Sequence, residues 1–273
     1  MSFGDQHPAA DLSPLIEIVA EHLSPVALAA ARLLPIVWLV PLFGGRLLPV
    51  PARLTITVGL AWVLAPPIPP VAVDLTFAGH LLLEALTGLC LALLASLPFE
   101  LARSGGHLVD VVRGSSLAQV IAPGLGDRAT PTGDVLYLAL LAALATCGGD
   151  RFIIVALTAG FAALPPGAAM EPGMTALMGD VLLETTAVML SSALLLAAPV
   201  IIIALLSDTV LGVVGRIVPQ LPLFFLGMPV KTVLGLVMVA LALGPMLGTL
   251  LEKGLHMPEM LAIICELLRS SGT

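Results

Sequence analysis

The sequence predicts an all-α membrane protein, assembled from broken helical hairpins whose short apolar runs need covering by partner chains. Three observations carry this. Of 273 residues, 59% are hydrophobic and only 11% charged, with a mean hydropathy of +1.11; soluble domains are about a quarter charged. Twenty-three prolines and 26 glycines punctuate the apolar runs. Two Trp and one Tyr leave little for interfacial aromatic belts, which points to limited lipid contact. The net charge of −7 provides no electrostatic footprint for nucleic acid.

Along the chain, residues 1–24 contain Asp5, Asp11, Glu17 and Glu21 but no Lys or Arg. They lack the basic n-region of a signal peptide. Leu12, Leu15, Ile16, Val19 and Leu23 form one stripe, so this segment is expected to be an amphipathic helix at an interface or against a partner. A helical hairpin core is expected over 25–251. Its first run, 25–43, is broken by Arg32 and Pro35 and closed by Gly44-Gly45-Arg46. The next, 54–65, stops at PPIPP, 66–70, which no helix can cross. An apolar run at 81–97, around Glu84, leads through Pro98 into the more polar 99–120. After a Gly/Pro loop at 122–134, short runs at 135–147 and 152–164 flank CGGD and predict a tight helical hairpin. A long run, 181–206, holds Glu184 and Pro199, and a last one covers 232–251. The tail from 252 to 273 is amphipathic. Several runs fall short of the roughly 20 residues a spanning helix needs. Broken backbone at membrane depth survives only under cover of protein or a water-filled cavity. No internal repeat of the inverted transporter kind is evident.

Catalytic motifs are sparse. Gly124-Leu125-Gly126-Asp127 matches the GxGD string of intramembrane aspartyl proteases, whose chemistry needs a second carboxylate at the same site. The companion Tyr-Asp is missing, since Leu138 follows Tyr137. A turn is the simpler reading. His80 and Glu84 share a helical face, but HExxH and a second ligand pair are absent, and a single hydrogen-bonded pair between helices accounts for them. No nucleotide-binding fingerprint or nucleophile elbow occurs. Cys90, Cys147 and Cys265 stand singly, without CxxC, and read as small core residues.

Arg32, Glu84, Glu184, Asp208 and Lys231 lie in or beside apolar runs. A charge at the bilayer centre costs at least ~2.5–3.5 kcal/mol, so each is expected to face protein or water. Two readings stay open: a solute or proton pathway through Arg32, Glu84 and Glu184, as in a secondary transporter, or polar glue between subunits. Within 99–120, Glu100 with Arg103 and Asp110 with Arg113 are spaced for helical ion pairs. Gly105, Gly106 and Gly114 would let another backbone come close.

The stretch LSDTVLGVVGRIVPQLPLFFLGMPVKTVLGL, 206–236, resembles the C-terminal signature of the FliR/SctT family, export-gate subunits of flagellar and virulence type III secretion systems. The matching positions are Arg216, Pro219-Gln220, Phe225, Leu226-Gly227, Pro229, Lys231 and Gly235. In GGHLVDVVRG, Gly106, Asp110 and Gly114 fall on the family's spaced Gly, Asp and Gly. Arg32, Pro35 and FGGRLLPVPAR at 43–53 fit its early pattern. The GMP at 227–229 and the brevity of the chain favour the SctT-like branch.

This resemblance implies a non-enzymatic export-gate subunit without cofactor or metal, in the bacterial inner membrane, multi-pass by sequence and partly raised out of the bilayer. One chain would complete a hetero-oligomeric helical ring. Its partners would be several copies of a related subunit, small two-helix subunits, other export-apparatus proteins and transient unfolded substrates. Subunit-interface or gate residues are expected at Arg32, Glu84, Gly106, Asp110, Gly114, Arg216, Pro219, Gln220, Phe225, Gly227, Pro229 and Lys231. Pro219, Pro222 and Pro229 would interrupt the helix so that the chain turns back, with Gln220 satisfying freed backbone groups and Phe224 and Phe225 filling a seam. Lys231 would pair across a subunit contact or cap the turn.

Overall fold

The computed structural model describes residues 13–43, 48–64, 75–114, 131–167, 172–218, 220 and 223–270. Every regular element among them is helical: α1 (Ser13–Leu39), α2 (Val50–Leu64), α3 (Leu75–Val112), α4 (Pro131–Thr146), α5 (Gly149–Ala163), α6 (Pro172–Ile217) and α7 (Leu223–Ser270), with a 3-10 turn at Pro41–Phe43.

Helix α3 is the axle of the fold, in contact with α1, α4, α6 and α7. Its first half belongs to one core and its second half to another. The first core joins Leu33 and Ile36 of α1, Ala61 of α2, Leu91 and Ala95 of α3, and Ile153 and Phe161 of α5. The second joins Phe99 and Val109 of α3, Leu136 and Leu140 of α4, Ala193 and Val200 of α6, and Met246 and Leu250 of α7. Leu97, between the two halves of α3, packs against both cores.

The helices are longer and less broken than the sequence suggests. Pro25 and Pro35 lie inside α1, Pro98 inside α3 and Pro199 inside α6, while Pro229 lies inside α7. The physical reason is a comparison of costs. A proline inside a helix removes one backbone hydrogen bond. Ending the helix leaves four unsatisfied N–H groups and four unsatisfied C=O groups, intolerable in apolar surroundings. Continuity wins. From Ser13 onward, where the described residues begin, the N-terminal segment and the first apolar run therefore merge into α1, and α7 runs on to Ser270.

Among the described residues, three stretches are long and apolar enough to cross a membrane: Thr76–Val112, Met178–Ile217 and Pro229–His256. The apolar parts of the other helices are shorter, as at Pro131–Thr146 and Ile153–Ala163. The tight turn expected at CGGD is present. Gly148 adopts φ 77°, a left-handed conformation that glycine enters freely, and α5 starts at the next residue. Cys147 there is exposed rather than in the core, because the turn projects it away from both cores.

Candidate functional site: two buried charge clusters on α3

Four charged residues are buried among the described residues: Arg32, Glu84, Asp110 and Arg113. They form two clusters, and α3 carries a member of each. Glu84 and Asp110 are separated by about 39 Å of helix.

In the first cluster, Arg32 Nε donates to Glu84 Oε2 at 2.6 Å. Arg32 Nη1 donates to the Leu164 carbonyl at 2.7 Å, and the guanidinium lies 5.0 Å from the Phe161 ring centroid. The other carboxylate oxygen, Glu84 Oε1, accepts the Gly167 backbone N–H at 2.8 Å. One ion pair thus joins α1, α3 and the segment after α5, with both carboxylate oxygens occupied. Gly88, one turn beyond Glu84, makes this reach possible. A Cβ there would overlap the Arg32 carbonyl, so α1 and α3 touch backbone to backbone. The hydrogen-bonded pair expected between helices at this face is the one Glu84 makes with Arg32, which supplies a full opposite charge.

In the second cluster, Arg113 Nη2 donates to Asp110 Oδ1 at 3.1 Å, as the i,i+3 spacing predicts. Asp110 also accepts Thr132 N–H at 3.0 Å and Thr132 Oγ1–H at 2.6 Å. Thr132 lies in the first turn of α4, so Asp110 supplies from another helix the capping carboxylate that α4 needs at its positive end. Gly106 lets α3 approach: a Cβ there would overlap the Gly133 backbone of α4. Gly105 faces Leu196 of α6. Gly114 works differently from the close contact expected of it. Its φ of 80° closes the end of α3, with Gly114 N–H donating to Val111 O at 3.1 Å. The aliphatic stem of Arg113 lies against Gly235 of α7, and Thr232 Oγ1 donates to Arg113 O at 3.4 Å.

Outside the cores, Arg103 makes long contacts with Glu100 at 3.9 Å and Asp134 at 3.8 Å and stacks on Tyr137 at 4.4 Å. Lys231 pairs with Asp208 within the chain, between α7 and α6. Arg216, Gln220 and Pro229 are exposed around the α6–α7 connection, and Gly227 is buried where a Cβ would stand 3.0 Å from Leu211 Cδ1. Phe225 lies in α7; its side chain falls outside the described residues, as do Pro219, Pro222 and the GxGD string at 124–127. Glu184 is exposed on α6 and shares no contact with the Arg32–Glu84 pair.

Sequence reading named the charged members of these clusters, Arg32, Glu84, Asp110 and Arg113, together with Gly106, and missed Gly88, Thr132, Leu164 and Gly167. Gly88 had a signal, since it falls on the face of Glu84 one turn later. Leu164 and Gly167 act through backbone groups, which carry no residue signature.

A helical membrane protein with its buried charges paired inside the chain is the class these features define. The chain belongs to the family described as Bacterial export proteins, family 1, which matches residues 23–256. Among its relatives, Yop proteins translocation protein T of Yersinia pestis is 30% identical over 55% of this chain and 57% of its own length. The chain thus aligns with little more than half of that relative. Flagellar biosynthetic protein FliR of Aquifex aeolicus is 28% identical over 82% of this chain and 86% of its own length. Surface presentation of antigens protein SpaR of Salmonella typhimurium is 26% identical over 81% and 83%.

Proposed function

We propose that this chain is a core subunit of a type III secretion export gate in the bacterial inner membrane, forming part of the channel through which unfolded proteins leave the cytoplasm. Family membership over residues 23–256 carries the reading. The distribution of burial supports it. In the apolar 18-residue window of each spanning stretch, 44% of α3 is buried by its own chain, but only 33% of α6 and 22% of α7. Leu183, Leu195, Ile202 and Leu241 stand outward on these two helices, each more than 60% exposed. These faces offer area for several copies of a related subunit and for small two-helix subunits. At about 69 and 72 Å, α6 and α7 exceed the ~30 Å hydrocarbon core, which fits an assembly partly raised out of the bilayer. The gate is a conduit rather than an enzyme. Arg216, Gln220 and Pro229, exposed at the α6–α7 connection, are the interface residues in this reading, and the SctT-like branch is favoured.

A transporter pathway through Arg32, Glu84 and Glu184 fits less well. The first two neutralise one another in a packed core, and Glu184 points outward from α6. Native mass spectrometry of the tagged protein, gently extracted from its own membranes, tests the assignment. The expected result is one copy bound to several copies of unlike small membrane proteins. A bare monomer or homo-oligomer across mild detergents would overturn it.

A further inference from the structure

The two cores are stacked along α3 and α6, which run in the same direction. Cys90 Sγ of α3 reaches Met178 O of α6 at 3.9 Å, and further on Gly105 faces Ala193 and Leu196. Measured from Thr76 to Cys90 along α3 and on from Met178 to Asp208 along α6, the stack is about 66 Å long. A tilt of 40°, the upper end of the usual range, still projects it over about 50 Å. A hydrocarbon layer of ~30 Å therefore covers one of the two cores and not both.

The second core has the dimensions of that layer. Beside it α6 carries no charge over residues 185–207, nor α7 over 232–251, about 35 and 30 Å. Charges mark both limits. Asp208 and Lys231 pair at the far end. The seam between the cores, where Leu42 and Leu97 pack against both, holds Glu100, Arg151, Glu184 and Glu252, all exposed. It also holds the arginine–aromatic stacks Arg53–Trp38 and Arg103–Tyr137, aromatic residues suited to a headgroup level. The α4–α5 junction falls there too, since Leu144 belongs to the second core and Ile153 to the first. Thr132 is bonded to Asp110 and the Leu164 carbonyl to Arg32, so α4 and α5 follow α3 end to end rather than folding into the hairpin that the sequence suggests. No side chain caps α5 at Gly148, a break that water at a headgroup level satisfies and hydrocarbon does not. Around the first core, α2 and α5 have 15 residues each, about 22 Å, too short to span.

We propose that in the assembled protein the bilayer surrounds the second core, the first core stands outside it, and the outward face of α2 docks an apolar helix of another membrane subunit. Val50, Leu54, Val58 and Trp62 recur every four residues along about 18 Å of α2, each at least 44% exposed. Outside the hydrocarbon layer lipid does not reach them, and an exposed apolar stripe of this kind marks an interaction site. Its regular ridge is what a second helix packs against. The layering is independent of the export-gate reading; the identity of the partner rests on it.

The test places a photo-crosslinking side chain at position 58 of the full-length protein in its native membranes. Mass spectrometry of the adducts should identify an apolar helix of another membrane protein. Adducts with lipid, adducts with a soluble protein, or no adduct would overturn the proposal. Adducts with a second copy of this chain would uphold the docking surface and count against the export-gate reading instead. Val58→Asp, or Leu54→Asp should the first fail to accumulate, should lower partner retention in native mass spectrometry at least about tenfold, as an unpaired charge buried in an interface does. It should leave the thermal midpoint of the isolated chain in detergent unchanged. Undiminished retention in the aspartate variant would also overturn the docking surface.

Discussion

Arg32 and Glu84, separated by 52 residues in sequence, meet at 2.6 Å in a core where both side chains are almost wholly buried. Neither charge could stand there alone. Removing one member of a buried pair costs about 3–5 kcal/mol, whereas replacing both with apolar residues is often neutral. Glu84→Gln should therefore lower the thermal midpoint of the detergent-purified protein sharply, and Arg32→Leu combined with Glu84→Leu should recover most of the loss. A double variant as unstable as the single ones would mean the pair contributes more than mutual neutralisation.

The glycines of α3 differ in kind, and alanine separates them. At Gly88 and Gly106 a Cβ would strike the backbone of Arg32 and Gly133, which cannot turn aside. Overpacking of this sort costs about 1–3 kcal/mol or more. At Gly59 of α2 a Cβ would meet open space, and alanine there should stabilise by up to about 1 kcal/mol. Membrane accumulation and thermal stability of Gly88→Ala, Gly106→Ala and Gly59→Ala should rank accordingly. Equal behaviour of all three would contradict the close helix approach.

Asp110 caps α4 from a distance, so its loss should be felt there first. Asp110→Ala should speed hydrogen exchange of the first-turn amides of α4 and cost about 2–3 kcal/mol, since charge-assisted hydrogen bonds are lost and Arg113 is left unpaired. Thr132→Val should reproduce part of the effect, with coupling in a double-mutant cycle. Additive losses would show that the Asp110–Thr132 contact contributes little.

Lys231 and Asp208 form a pair of another type, 25% and 52% exposed. Exposed pairs contribute about 0–1 kcal/mol, so Lys231→Ala should leave the purified chain nearly as stable as before. Under the export-gate reading it should nevertheless impair complex assembly or secretion. The exchange Lys231→Asp with Asp208→Lys distinguishes two causes. Restored secretion would place the lysine's role inside the chain, whereas continued failure would place it against a partner.

The sequence made the class of fold legible through composition alone, and helical spacing found the Asp110–Arg113 pair. Arg32 and Glu84 were legible as buried charges because a charge in an apolar run demands a partner. That they are each other's partner was not, since the pairing depends on how α1 crosses α3 at Gly88. Helix ends were the poorest reading. Pro35 and Pro229 looked like breaks because proline is scored for the hydrogen bond it removes, without counting the groups that a break would expose. The Leu164 carbonyl and Gly167 amide could not be read at all, being backbone groups placed by tertiary structure.

The order of synthesis gives the Arg32–Glu84 cluster a consequence for biogenesis. The counter-charge is translated first, so Arg32 is already available when Glu84 enters the membrane. Gly167 follows Glu84 by 83 residues, a delay on the order of 4–17 s at bacterial and eukaryotic elongation rates of 5–20 residues per second. During that interval α1 and α3 can form a neutral pair while the second carboxylate oxygen and the remaining guanidinium donors still lack their final partners. A nascent chain halted before residue 164 would carry a salt bridge without its wrapping, and quality-control proteases would meet the protein in that state.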